Sequence, residues 1–146
     1  DMTEWEREEF LEEFQSREGT LVGFCVLGGI FSEGVELTGE RLIGAVIVGT
    51  GLPQIGSERE ILKEYYDRRN HAGFDYAYRY PGMNKVLQAA GRVIRTKEDK
   101  GVILLLDERF LVRDYAEIFP QEWQDRSVCR LDTVEQDLDV FWKRFT

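Results

Sequence analysis

Apolar positions along the chain follow two patterns, one with a helical period and one with no polar alternation at all. Between Trp5 and Gln15, Phe10, Leu11 and Phe14 recur at helical spacing among acidic residues. That spacing predicts an amphipathic helix ending near Gly19, with its acids facing water or a basic partner. Thr20 to Leu27, Leu42 to Val48 and Gly101 to Leu106 are instead short, continuous apolar runs. Such runs predict strands covered on both faces, as in a parallel sheet. Helical spacing returns in Glu60 to Arg69, through Ile61, Leu62, Tyr65 and Tyr66, and again in Met83 to Arg95 and Phe110 to Ile118. Pro120 near Trp123 marks a turn, after which Val134 to Phe145 predicts a terminal helix with Leu138, Phe141, Trp142 and Phe145 as its apolar face.

Strands alternating with helices and separated by glycine-rich turns predict an α/β domain of three layers, α/β/α, with a mainly parallel sheet. Helices are expected on both faces and functional loops at the strand carboxyl ends. The 146 residues suit one domain, and a hydrophobic share of 42% is enough for a core. With no apolar run of about 18 residues and an acidic start, neither a membrane span nor a signal peptide is expected, and a cytoplasmic setting follows. Cys25 and Cys129 lie far apart without a CxxC spacing, and His71 is the single histidine. A zinc site or disulfide scaffold is therefore not expected, no metal is assigned to the chain, and both cysteines read as buried, reduced apolar residues.

The net charge of −9 argues against a surface devoted to nucleic acid. Residues 1 to 18 carry −6 of it, leaving −3 for the remainder, so any contact with DNA has to be local.

Two segments carry candidate chemistry. Gly28 to Leu37, GGIFSEGVEL from Gly28 onward, is a small-residue turn directly after an apolar run, where backbone amides can approach a ligand; a turn with no ligand reads equally well. The pattern GxxxxGK[ST] is absent, so this chain has no phosphate cradle of that kind. In Gln88 to Arg95, QAAGRVIR, the residues Gln88, Arg92 and Arg95 fall three and four apart, which on one helix makes a shared face. Two guanidiniums on one face suit phosphate oxygens and can act on a nucleotide held elsewhere; a solvated arginine pair is the plainer reading. Phe74, Tyr76, Tyr78 and Tyr80 alternate with other residues, as in an edge strand, and could also stack on unpaired bases. Asp107 and Arg109 follow a predicted strand and read either as functional groups or as an ion pair tying that loop to the Met83 to Arg95 helix.

The segment around Ser32, Glu33 and Gly34 resembles helicase motif V, and Gln88 to Arg95 resembles motif VI, QxxGRxxR, of superfamily 2 helicases. Four ordered blocks are similar to the XPD/DinG branch: Gly29 to Leu42, Gly51-Leu52-Pro53, Tyr80-Pro81-Gly82-Met83-Asn84-Lys85-Val86-Leu87, and Leu106-Asp107-Glu108-Arg109-Phe110. The similarity spans about residues 20 to 123. It implies a RecA-like second helicase domain that closes over ATP bound to a first RecA-like domain of the same polypeptide and couples hydrolysis to stepping along single-stranded DNA. It implies Arg95 as the arginine finger, with Arg92 beside it. Gln88, Gly91, Gly34 and Glu36 then lie at the nucleotide, and Ser32 and Glu33 at the nucleic acid; Arg79 and Lys85, beside the aromatic run, are read from the sequence as candidate phosphate contacts, ahead of any tyrosine as a base platform. Glu36 stands where the branch usually has Asp. ATP and magnesium belong to the longer protein, the isolated chain is expected to be inactive, and the branch's iron–sulfur cluster is not expected here.

The strand and loop of motif IV are not visible before Trp5, which reads as a fragment with an unpaired sheet edge and a tendency to self-associate. DNA repair is an expectation from the resemblance. The alternative reading is a non-catalytic RecA-like module that binds protein or nucleic acid.

Overall fold

The computed structural model describes residues 2–15, 19–29, 31 and 37–146. Helix α1 spans Glu4–Glu12 and starts with a reciprocal cap. The Thr3 Oγ1 accepts from the Glu6 amide at 3.3 Å, and the Glu6 carboxylate accepts from the Thr3 amide at 2.6 Å. No residue of α1 is buried, so its acids are solvated as their density requires. Phe10 stacks obliquely on Phe14 and Phe31, with ring centroids 5.4 and 4.6 Å apart.

The run Thr20 to Leu27 is not the strand its composition predicts. It has no ladder partner among the described residues, and Phe24 is 94% exposed. Gly23 lies against the Phe10 and Phe14 rings, where an added Cβ would sit 2.8 Å from each. Val22, Phe24 and Val26 face solvent, while Leu27 packs against the core that forms on β1.

The other two apolar runs do form strands. β1, Gly44–Val48, and β2, Val102–Leu106, pair in parallel with Gly44 opposite Val102 and Val48 opposite Leu106. This α/β arrangement has two strands among the described residues. Between them come α2, Ser57–Asn70, a π-helical turn at Asp75–Arg79, and α3, Tyr80–Ala90. α3 lays Met83, Val86 and Ala90 on Ile47 of β1, and Phe110, Tyr115 and Phe119 complete this core. On the far side of β2 a cavity of about 370 Å³ separates the strand from Trp123 and from Leu138 and Phe141 of α5, Val134–Trp142. Among the described residues, Val46 and Val48 of β1 remain exposed, and helical cover of the second face lies beside β2.

The expected edge strand through Phe74 to Tyr80 is helical. Residues two apart on a helix point to opposite sides, so the same alternation yields two rows at a spacing of four: Phe74 on Tyr78 at 5.6 Å and Tyr76 on Tyr80 at 5.2 Å. An Asp75–Arg79 ion pair of 2.6 Å at the same spacing reinforces the helix. The predicted helix from Phe110 to Ile118 is broken at Val112, whose extended backbone separates a 3-10 turn, Glu108–Leu111, from α4, Arg113–Ala116. Both cysteines are exposed, against the expectation of burial.

Candidate functional site

α3 packs against β1 with its two ends at opposite ends of the strands. At its first turn Gly82 is buried against the loop that follows β1. A Cβ on Gly82 would lie 2.6 Å from the Thr50 carbonyl oxygen, and one on Gly51, at φ +65°, would lie 2.7 Å from the Gly82 carbonyl oxygen. Backbone therefore meets backbone, which only glycine permits on both sides. Nearby, the Gly49 amide donates to the Leu106 carbonyl at 3.1 Å. Asp107, just past β2, accepts from the Arg109 amide, Nε and Nη2 at 2.9, 2.9 and 2.6 Å. The Arg109 side chain holds the Asp107 carboxyl below the usual carboxylate range. The pair closes on its own loop, and the expected tie to α3 is not made.

At the other end α3 stops at Ala90, five residues short of the expected Arg95. The Arg92 and Val93 amides bond to the Ala89 and Ala90 carbonyls at 3.2 and 3.1 Å, a tightening of the last turn. Gln88 is thus on the helix and exposed, Arg92 is on the turn, and Arg95 lies beyond it, both arginines half-buried. The expectation of one helix face shared by Gln88, Arg92 and Arg95 is corrected accordingly. Two anchors redirect the chain. Val93, 2% exposed, seats over Gly101, where a Cβ would approach Val93 Cγ1 to 2.3 Å. The Asp99 carboxylate then accepts from the Arg95 and Thr96 amides at 2.9 and 2.8 Å through Oδ2 and from the distant Gly39 amide at 3.2 Å through Oδ1. These backbone donors, Arg95 first, hold the Asp99 carboxyl below its ordinary range.

Arg92 and Arg95 accordingly sit near the amino end of β2, beside Gly101 and Gly39, and not at the strand carboxyl ends where functional loops were expected. Ser32, Glu33, Gly34 and Glu36 lie outside the described residues. The segment leading to them is placed: Gly28, at φ +79°, faces the Lys85 stem, and a Cβ there would come within 2.9 Å of Lys85 Cδ. Lys85 and the glycine turn are therefore neighbours. Arg79 is differently committed. Its two Nη atoms reach Asp75 at 2.6 Å and Asp114 at 3.2 Å, its guanidinium lies over Phe74 and Tyr115, and its side chain is 17% exposed. Its charge is used inside the fold, so the geometry lends no support to the expected phosphate contact. Asp99 was missed from sequence; its signal was the run Thr96 to Gly101, whose Thr, Asp and Gly favour a capped turn.

A family model described as the helicase C-terminal domain matches residues 2–126. The regulator of telomere elongation helicase 1 homolog of Caenorhabditis elegans is 30% identical over 119 residues, which cover 75% of this chain and 12% of that protein. Its Drosophila melanogaster counterpart is 33% identical over 110 residues, 70% of this chain and 11% of that protein. A probable ATP-dependent helicase of Methanocaldococcus jannaschii is 34% identical over 108 residues, 68% of this chain and 17% of that protein. The matched region thus spans less than a fifth of each of these relatives. With a family model matching 125 of the 146 residues, the chain belongs to the helicase C-terminal domain family, in agreement with the XPD/DinG resemblance carried by its four sequence blocks.

Proposed function

We propose that this chain is the second motor domain of an ATP-dependent DNA helicase and supplies the arginine finger in trans to ATP and magnesium held by the first RecA-like domain of the same polypeptide. One observation carries the reading: Val93, between Arg92 and Arg95, is buried over Gly101, so the two arginines flank an anchored residue on a loop and do not belong to a fraying helix end. An anchored cation is what charge stabilisation at a transferring phosphoryl group needs, because the donor must already be in place when charge develops. Arg95 acts as the finger, with Arg92, Gln88 and Gly91 completing the edge that faces the nucleotide together with Gly34 and Glu36. Lys85, beside the glycine turn, serves single-stranded DNA with Ser32 and Glu33.

The test is single-stranded-DNA-stimulated ATP hydrolysis by the full-length parent protein, with Arg95→Ala compared to wild type at matched folding. A loss of a hundredfold or more is expected, in line with the ~10³–10⁵ associated with arginine fingers. Unchanged turnover would sink the reading in favour of a module that binds without catalysing.

A further inference from the structure

We infer that Asp99 is a positioning residue for the arginine finger, holding the backbone at Arg95 in one place through hydrogen bonds to the Arg95 and Thr96 amides and joining it to the turn at Gly39. The inference rests on the proposal that Arg95 is the finger.

The geometry is specific. A carboxylate that accepts two consecutive amides on one oxygen restricts the backbone dihedrals at the residue between them. The direction in which the Arg95 side chain departs follows from those dihedrals. The other oxygen reaches Gly39, 60 positions earlier, two residues past Leu37, which is itself buried. Gly39 adopts φ +64°, a conformation that side chains larger than hydrogen resist, so the turn whose amide meets Asp99 favours glycine at this position. The Gly39 turn is stapled in turn by Arg41, whose Nη2 and Nε donate to the Thr38 Oγ1 and carbonyl at 2.8 and 3.3 Å. Asp99 thus connects two locally stiff pieces of chain, one carrying Arg95 and the other ending the segment that resembles motif V. Val93 fixes the loop on one side of Arg95, and Asp99 fixes it on the other.

A carboxylate in this role gives three acceptor contacts and no donor. Asparagine keeps the shape but offers one oxygen, so it keeps either the Arg95 and Thr96 bonds or the Gly39 bond and sets an NH₂ against the remaining amide. A misplacement of about 1 Å costs on the order of 10² in rate when a group must meet a transition state.

The experiment uses the full-length parent protein in four forms: wild type, Asp99→Asn, Arg95→Ala and the double variant. For each, kcat and KM for ATP are measured in the presence of single-stranded DNA, together with thermal unfolding. Asp99→Asn should lower kcat by about 10- to 100-fold with KM for ATP within about twofold. In the Arg95→Ala background the same substitution should change kcat little, because the group it positions is gone. Asp99→Glu, which keeps the charge but displaces it, should fall between wild type and Asp99→Asn. The inference is overturned if Asp99→Asn keeps full kcat, or if it lowers kcat by the same factor with and without Arg95, as a general loss of structure would. If Arg95→Ala itself leaves turnover intact, the finger reading fails, and the positioning role fails with it. Should Asp99→Asn fail to fold, the same comparison made with Asp99→Glu decides the question.

Discussion

At its first turn α3 meets the loop after β1 backbone to backbone, Gly82 under Thr50 and Leu52, whereas past its last turn the chain is steered by one buried valine and one carboxylate. The first contact is steric: it has no charge, is blind to salt and pH, and accepts nothing larger than hydrogen. The second depends on an apolar side chain that can rotate and on hydrogen bonds that can be released. The residues proposed to touch ATP are at the second end. There the loop is held in place by a buried side chain and by hydrogen bonds, whereas the far end of the same helix is held by the steric fit of backbone on backbone.

The largest effect should come from Gly82→Ala. Its new methyl would meet the Thr50 carbonyl at 2.6 Å and the Leu52 amide nitrogen at 3.0 Å, both backbone atoms with no rotamer to escape into. Overpacking of this kind costs roughly 1–3 kcal/mol, and the backbone neighbours place this substitution near the upper end. It is read from the urea midpoint at constant slope. An unchanged midpoint would mean that the loop from Gly49 to Pro53 yields, and that the two ends of α3 do not differ as described.

Gly101→Ala tests the other end. The nearest neighbour, Val93 Cγ1 at 2.3 Å, belongs to a side chain that can turn, although the Ile43 carbonyl oxygen at 3.0 Å cannot. A smaller cost of about 1–2 kcal/mol is expected. In the parent protein the ATPase rate should fall by more than this stability loss explains, because shifting Val93 shifts the loop that bears Arg92 and Arg95. Equal effects on stability and rate would remove Val93 as the anchor.

The same contrast explains what the sequence could announce. β1, β2, α2 and α5 were legible because each is a short apolar run or a run at helical period, and the α/β class follows from their alternation. Thr20 to Leu27 has the composition of a buried strand, but composition cannot supply the neighbour that a ladder needs, and Phe24 and Val26 stay exposed. The aromatics from Phe74 to Tyr80 fit a period of two and two rows at a period of four equally well. The Asp75–Arg79–Asp114 network selects the helix, and Asp114 lies too far along the chain for local pattern to include. The glycine-containing arginine motif marked Gln88, Arg92 and Arg95 as candidates but did not give their backbone. Its helix ends at Ala90, after which Val93 seats on Gly101 eight residues on and Asp99 reaches Gly39 across the fold, and the second contact is beyond any local pattern.

The smallest expected effect separates the two carboxylates, Asp107 at one end of the strands and Asp99 at the other. Both are held below the usual carboxylate range in the folded chain, Asp107 chiefly by the Arg109 side chain and Asp99 chiefly by the Arg95 amide. A folded-state pKa below the unfolded one stabilises fully above the unfolded value, and that contribution is lost as pH falls through the folded value. Both should therefore be complete at neutral pH and fade below the ordinary carboxylate range. Salt tells them apart. Arg109 is 43% exposed, so its pair with Asp107 contributes less than about 1 kcal/mol and should shrink further at about 1 M salt, where the Debye length is about 3 Å. Asp99 faces neutral amides, and salt has no opposing charge there to screen. Urea midpoints of wild type, Asp107→Asn and Asp99→Asn at neutral pH, in low and in high salt, should show the first difference contracting while the second holds. Equal contraction would mean that Asp99 is held by a charge and not by the backbone of the finger loop.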